Sequence, residues 1–153
     1  MIRTIDGALD GEGLRIGIAV ASWNQAITDG MLEAAKRRCE QLGASEITVV
    51  RVPGALELPV AAQALAGDHD AVIAIGAVVK GETDHYDIVV AESTRGVSRV
   101  ALDTGVPVAN AILAVHDYAQ AVDRSGGDDA NKGVEAAEAA VLTATALRKL
   151  GGR

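Results

Sequence analysis

Residues 71–85 read AVIAIGAVVKGETDH, and the architecture of the chain turns on how this stretch divides. Ala71–Ile75 is short, uncharged and rich in Val and Ile, the pattern of a strand covered on both faces. Gly76 to His85 reads as the loop after that strand, and Tyr86–Thr104 carries a helical pattern stopped by Gly105. The same unit recurs on either side. Leu14–Val20, Ile47–Val52 and Val108–Val115 are further strand-like runs, with helical patterns over Gln25–Leu42 and Leu58–Ala66 ended by Gly43 and Gly67. Tyr118–Ser125 and Lys132–Leu150 read as two helices after the last strand. Strand alternating with helix predicts right-handed crossovers, hence an α/β three-layer sandwich with a four-stranded parallel sheet and helices on both faces. Residues 1–13 read as a short N-terminal strand or arm, and residues 14–153 as a single α/β domain.

Composition narrows the functional classes. Of 153 residues 49% are apolar, which excludes a disordered or collagen-like chain, and no uncharged stretch reaches the roughly 18 residues of a membrane span. A formal charge of −7 argues against binding nucleic acid or anionic lipid, so an anionic ligand must be met by a few local cations. With no Phe, the core is built from small aliphatic side chains, and burial between subunits is the expected supplement. The single cysteine, Cys39, cannot form an internal disulfide and reads as a packing residue. Met1–Gly7 has neither the basic start nor the apolar run of a signal peptide, so a reducing cytoplasm is the expected compartment.

Ligands of such folds bind where strands end at their carboxyl termini, which directs attention to four loops. After the first strand, Trp23-Asn24 places the only Trp at a helix start; it is either packing or a stacking platform for a planar heterocycle, and Asn24 is a helix N-cap. After the second, Pro53 and Gly54 form a turn and Glu57 opens the next helix, favoured there by the helix dipole or available to ligand hydroxyls. After the third, Gly81 and Thr83 could offer N–H groups and a hydroxyl to a phosphate, with His85 beside them as a structural residue or a proton-transfer group. His69 and His116 read as surface residues, and three scattered His with one Cys make no metal site. Between the last two helices, Arg124 and Lys132 are either ordinary surface cations or a fork and a point charge for a phosphate.

From about Leu14 to Leu150 these segments, in this order and spacing, resemble the lumazine synthases of riboflavin biosynthesis. The resemblance is carried by Trp23-Asn24, Val52-Pro53-Gly54-Ala55-Leu56-Glu57-Leu58-Pro59, Gly76 to Asp87, Asp123-Arg124 and Asn131-Lys132-Gly133-Val134-Glu135. It implies a flavodoxin-like sandwich and a transferase that condenses 5-amino-6-ribitylaminouracil with 3,4-dihydroxy-2-butanone 4-phosphate. The products implied are 6,7-dimethyl-8-ribityllumazine, phosphate and water, made without cofactor or metal.

The resemblance also implies roles for individual residues. Trp23 would stack on the pyrimidine with Asn24 beside it, and Ala77, Val78, Val79 and Asn110 would line the ring's pocket. Ala55, Leu56 and Glu57 would hold the ribityl chain. Gly81, Glu82 and Thr83 would meet the phosphate together with Arg124, and His85 would transfer protons. The residues matching Asn110, Arg124 and Lys132 would come from the adjacent subunit of a pentamer. Twelve pentamers form a shell of sixty subunits in some members, and the short connector Ser125 to Asn131 matches the shell-forming kind. Riboflavin synthase is the implied protein partner. Three departures stand out: Asn110 where an aromatic is common, Asp84 for a more usual Pro or Thr, and Ala114-Val115-His116-Asp117 for a Thr-rich strand end. The competing readings are an archaeal-type riboflavin synthase, a shell or flavin-binding module without turnover, and a flavodoxin- or receiver-like signalling module.

Overall fold

A computed structural model describes residues 1–151. The elements follow in the order β1 (Arg15–Ala21), α1 (Gln25–Gln41), β2 (Glu46–Val52), a single 3₁₀ turn (Ala55–Glu57), α2 (Leu58–Ala66), β3 (Ala71–Val79), α3 (His85–Thr104), β4 (Val108–Val115), α4 (Tyr118–Asp123) and α5 (Lys132–Leu150). All four strands are parallel, in the order β2-β1-β3-β4. The expected sandwich is therefore present. One face of the sheet packs Ile16, Ile18, Ile73 and Ile75 against Met31, Ala35 and Cys39 of α1 and Ala137, Ala140 and Val141 of α5. The other packs Ala19, Val72, Ala74 and Ile112 against Leu58, Ala62 and Leu65 of α2 and Val97 and Val100 of α3.

Small residues let these layers approach closely. A Cβ at Gly133 would collide with the carbonyl of Met31, so α5 starts against α1 only because that position is bare. β3 is longer than the sequence suggests: Gly76 does not end it, and Gly76–Val79 continue in register with Ile112–Val115 of β4. β1 pairing stops earlier, at Val20 with Ile75, so the end of β3 overhangs its neighbour.

Among the described residues the first thirteen form no strand. They run back over α5, where the Ala8 N–H donates to Thr145 Oγ1 at 2.8 Å, and Glu12 makes one isolated bridge with Ala44. Gly43 and Gly105 end their helices in left-handed conformations (φ 91° and 71°), but Gly67 does not, with φ −61°. On the outer edge of the sheet, Asn110 Oδ1 accepts the N–H of Ile112 two residues on in the same strand, at 2.8 Å. No helix among the described residues is long and apolar enough to cross a membrane.

His69 departs from its expected surface position. It is 6% exposed, wedged between the end of α2 and β2. Nδ1 lies 2.8 Å from the Leu65 carbonyl and 2.7 Å from Asp68 Oδ1, while Nε2 lies 2.9 Å from Thr48 Oγ1. A carbonyl can only accept, so Nδ1 is the donor to Leu65. Its neighbours Asp68 and Asp70 are polar, which makes the segment look like a surface turn, but the ring itself is turned inward.

Candidate functional site

The chain leaves β1 to one side of the sheet and β3 to the other, so the carboxyl ends of these two adjacent strands flank the topological switch point, where α/β sheets bind ligands. A cavity of about 300 Å³ lies there. Its walls bring together Trp23 and Asn24 from the β1–α1 loop, Gly54 to Glu57 from the turn after β2, Ala77 to Val79 from the end of β3, and His85 with Val89 from α3.

Each wall has a local cause. The N–H groups of Ser22 and Trp23 both donate to the Pro53 carbonyl, joining the first two loops. Trp23 is 65% exposed, unusual for the only indole in a chain with two other aromatics, and its ring lies on Gly54. Gly54 has φ −140°, a backbone open to any residue, so the glycine serves to leave room for the indole rather than to make a turn. Glu57 precedes α2 and its Oε2 accepts the Gly54 N–H at 3.1 Å, leaving Oε1 for a ligand hydroxyl. His85 is the first residue of α3 and is exposed, within the cavity wall.

Asn24 is the expected N-cap by position, its carbonyl accepting the N–H groups of Ile27 and Thr28 at 3.0 Å, but not by its side chain. It sits at the start of α1 in a left-handed conformation, φ 59° and ψ 48°, and its side chain caps nothing. Instead its Nδ2 donates to the carbonyl of Ala77 at 2.9 Å.

Gly81, Glu82 and Thr83 form the exposed loop before α3, outside the cavity wall, and their N–H groups bond to nothing else among the described residues. With the positive end of the α3 dipole behind them, they can receive a phosphate. Asp84 and Asp87 stand close by, so such a site needs cations from elsewhere.

Those cations line a different concavity. Arg124 and Lys132 border a recess of about 540 Å³ with Leu113, Ala114, Asp123 and Glu135, beside β4. Arg124 donates from Nη1 to the Gln120 carbonyl at 2.9 Å, keeping its remaining N–H groups free among the described residues. Asn131 shapes the connector: Oδ1 caps Gly133 N at 2.8 Å and Nδ2 holds the Gly127 carbonyl at 2.9 Å, which sets Lys132 at the first position of α5. Lys132 is paired to Glu135 Oε1 at 2.8 Å, so Arg124 is the less compensated charge. Asn110 lines neither recess, its Oδ1 being used within its own strand.

The single chain thus assembles an aromatic wall, a carboxylate and an imidazole in one recess, and puts its fork-shaped cation in another. Val89, which the sequence reading does not single out, and Gly54, which it reads only as a turn residue, also belong to the first recess. Val89 lies four residues after His85 on one helix, a spacing that gives them a common face. Among the described residues no group of His, Cys, Asp and Glu could hold a metal ion.

The family model described as 6,7-dimethyl-8-ribityllumazine synthase matches residues 13–148. A protein of that name from Mycolicibacterium vanbaalenii is 48% identical over 145 residues, covering 94% of this chain and 92% of its own length. Another from Thermobifida fusca is 49% identical over 144 residues, covering 93% of this chain and 85% of its own. A third, from Mycobacterium avium, is 45% identical over 148 residues, covering 95% and 92%.

Proposed function

The chain belongs to the 6,7-dimethyl-8-ribityllumazine synthase family, a family of transferases in riboflavin biosynthesis, and from that premise we propose how its own residues divide the work. The chain condenses 5-amino-6-ribitylaminouracil with 3,4-dihydroxy-2-butanone 4-phosphate, releasing phosphate and water. The pyrimidine stacks on Trp23 and rests against the backbone of Ala77, Val78 and Val79, beside Asn24. The ribityl chain lies along Ala55 and Leu56, with Glu57 Oε1 accepting from its hydroxyls.

The phosphate occupies the N–H groups of Gly81, Glu82 and Thr83 and meets Arg124, with Lys132 as a second cation. The observation that carries this reading is the division of the site: Trp23, Glu57 and His85 share one recess, and Arg124 and Lys132 border another. A complete site therefore joins the first recess of one copy to the second of its neighbour, which also supplies Asn110. Leu56, Val60 and Ile88, exposed near the first recess at 45%, 66% and 57%, supply apolar area for that contact.

Little more equipment is needed. The substrate brings its own amine, which attacks the ketone; water leaves as the imine forms, phosphate is eliminated, and the ring closes with loss of a second water. Holding the two reactants in contact removes much of the barrier. His85 relays protons to the departing oxygens and from the attacking amine, and Arg124 stabilises charge on the leaving phosphate. The assembly is a pentamer, the short Ser125–Asn131 connector favours the shell of sixty, and the proposed partner is riboflavin synthase, which would take the product. A buried free thiol at Cys39 suits a reducing cytoplasm.

The test is turnover: purified protein with both substrates, followed by lumazine absorbance against a blank without enzyme. Saturable product formation supports the reading. A folded oligomer giving no rate above the blank overturns it.

A further inference from the structure

The geometry points to Asn24 as the positioning residue that sets the indole of Trp23 against the end of β3, a role that rests on the placing of the pyrimidine at Trp23 proposed above. Asn24 is one of only two residues other than glycine with positive φ among the described residues. Such a backbone is uncommon outside glycine and persists only where the surroundings hold it. Asn tolerates it better than most residues, but its usual reward at a helix start, an accepted N–H, is missing here. The side chain is spent elsewhere.

It is spent on a carbonyl that β1 no longer reaches. Pairing between β1 and β3 ends at Val20 with Ile75, and two residues further on the Ala77 carbonyl takes Asn24 Nδ2 at 2.9 Å. One amide thereby ties the β1–α1 loop to the strand whose backbone forms the opposite wall of the recess. It also occupies the Ala77 carbonyl, which leaves the polar groups of Val78 and Val79 as the backbone partners for the heterocycle.

The residue before Asn24 is Trp23. Its N–H is fixed on the Pro53 carbonyl at 3.0 Å, and its ring is seated on Gly54, where a Cβ would lie 2.5 Å from Cε3 and Cζ3. An exposed indole has several rotamers open to it. The left-handed turn at Asn24, the tether to Ala77 and the bare Gly54 together select one. With its Nδ2 spent on Ala77, Asn24 acts here through Trp23, fixing the spacing between the platform and the strand end.

Because Trp23 is the only Trp, its fluorescence reports on this arrangement in the absence of substrate. The experiment compares wild type with Asn24→Gly, which keeps the backbone conformation and removes the amide, and with Asn24→Asp, which keeps the shape and replaces the donor by an acceptor. Emission maximum, anisotropy and acrylamide quenching are read without ligand, and kcat and both KM values with the two substrates. The expected result for both variants is lower anisotropy, stronger quenching and a KM for the ribitylaminouracil raised by roughly fivefold to tenfold, with the KM for the butanone phosphate unchanged. Unchanged fluorescence in a folded Asn24→Gly protein overturns the proposal. Altered fluorescence with an unchanged KM for the ribitylaminouracil supports the tether and overturns the placing of the pyrimidine on Trp23, so the two failures are told apart. Should Asn24→Gly not fold, Asn24→Asp carries the same comparison.

Discussion

The backbone N–H of Lys132 donates to the carbonyl of Arg124 at 2.8 Å, closing the connector between α4 and α5 so that two cations border one recess. Because Glu135 already holds Lys132, the two are unequal. Arg124→Ala is expected to raise the KM for the butanone phosphate on the order of tenfold to a hundredfold, the loss of a charged fork. Lys132→Met should cost several-fold less. Steady-state kinetics with the ribitylaminouracil saturating measures both, and equal effects would contradict the ranking.

His85→Ala is expected to lower kcat about a hundredfold, the usual worth of a positioned proton-transfer group, while sedimentation shows the wild-type assembly. The ring lies exposed at the start of α3, so its removal strips no buried packing.

Mixing is more decisive than either variant alone. His85→Ala and Arg124→Ala chains, each inactive or weak, are unfolded together, refolded as mixed oligomers and assayed. If each site joins two copies, random assortment leaves about a quarter of the sites with both groups intact. Activity near a quarter of wild type is expected; no recovery above the unmixed variants would place both groups in one chain's site.

His69 is fully partnered and far from that chemistry. His69→Phe keeps the ring's bulk but leaves the Leu65 carbonyl and Thr48 hydroxyl without it. A loss of about 1–3 kcal/mol in urea unfolding at fixed protein concentration is expected, with kcat unchanged.

Cys39 gives a pH dependence whose sign is set by burial. Desolvation first, and the Glu40 charge second, push its thiol from 9.0 up to about 11. The folded chain therefore holds this proton more tightly than the unfolded one. Stability from this source is complete below pH 9 and is lost as the pH rises from 9 to 11, by up to about 2 kcal/mol. Cys39→Ala should flatten unfolding free energy over that window. The folded thiol should also resist a disulfide reagent at pH 8 and react once urea is added.

Much of this was legible in the sequence, for reasons that differ between elements. α2, α5 and β4 occupy the residues their periodicity predicts, because each has a clear apolar pattern and a marked start or stop. Gly76 misled: glycine usually interrupts a strand, but here it sits inside β3 with Leu58 against it, a contact set by tertiary packing. His69 misled because two flanking aspartates describe the local chain and not the direction of the ring. For the site, Trp23, Glu57 and His85 each follow a strand end, which sequence order reveals. The tether from Asn24 to Ala77 spans fifty-three residues and leaves no periodic trace.

The bond within β4 from Ile112 N–H to Asn110 Oδ1 has a bearing on how the sheet could grow. Endless stacking of chains edge to edge needs two receptive rims, one to give and one to take. On β4 the ladder of available donors is interrupted at Ile112 by a side chain of its own strand, and β2 forms the opposite rim. A strand from another molecule approaching β4 would find that donor already taken. The self-bonded Asn110 thereby works against fibre growth from that rim.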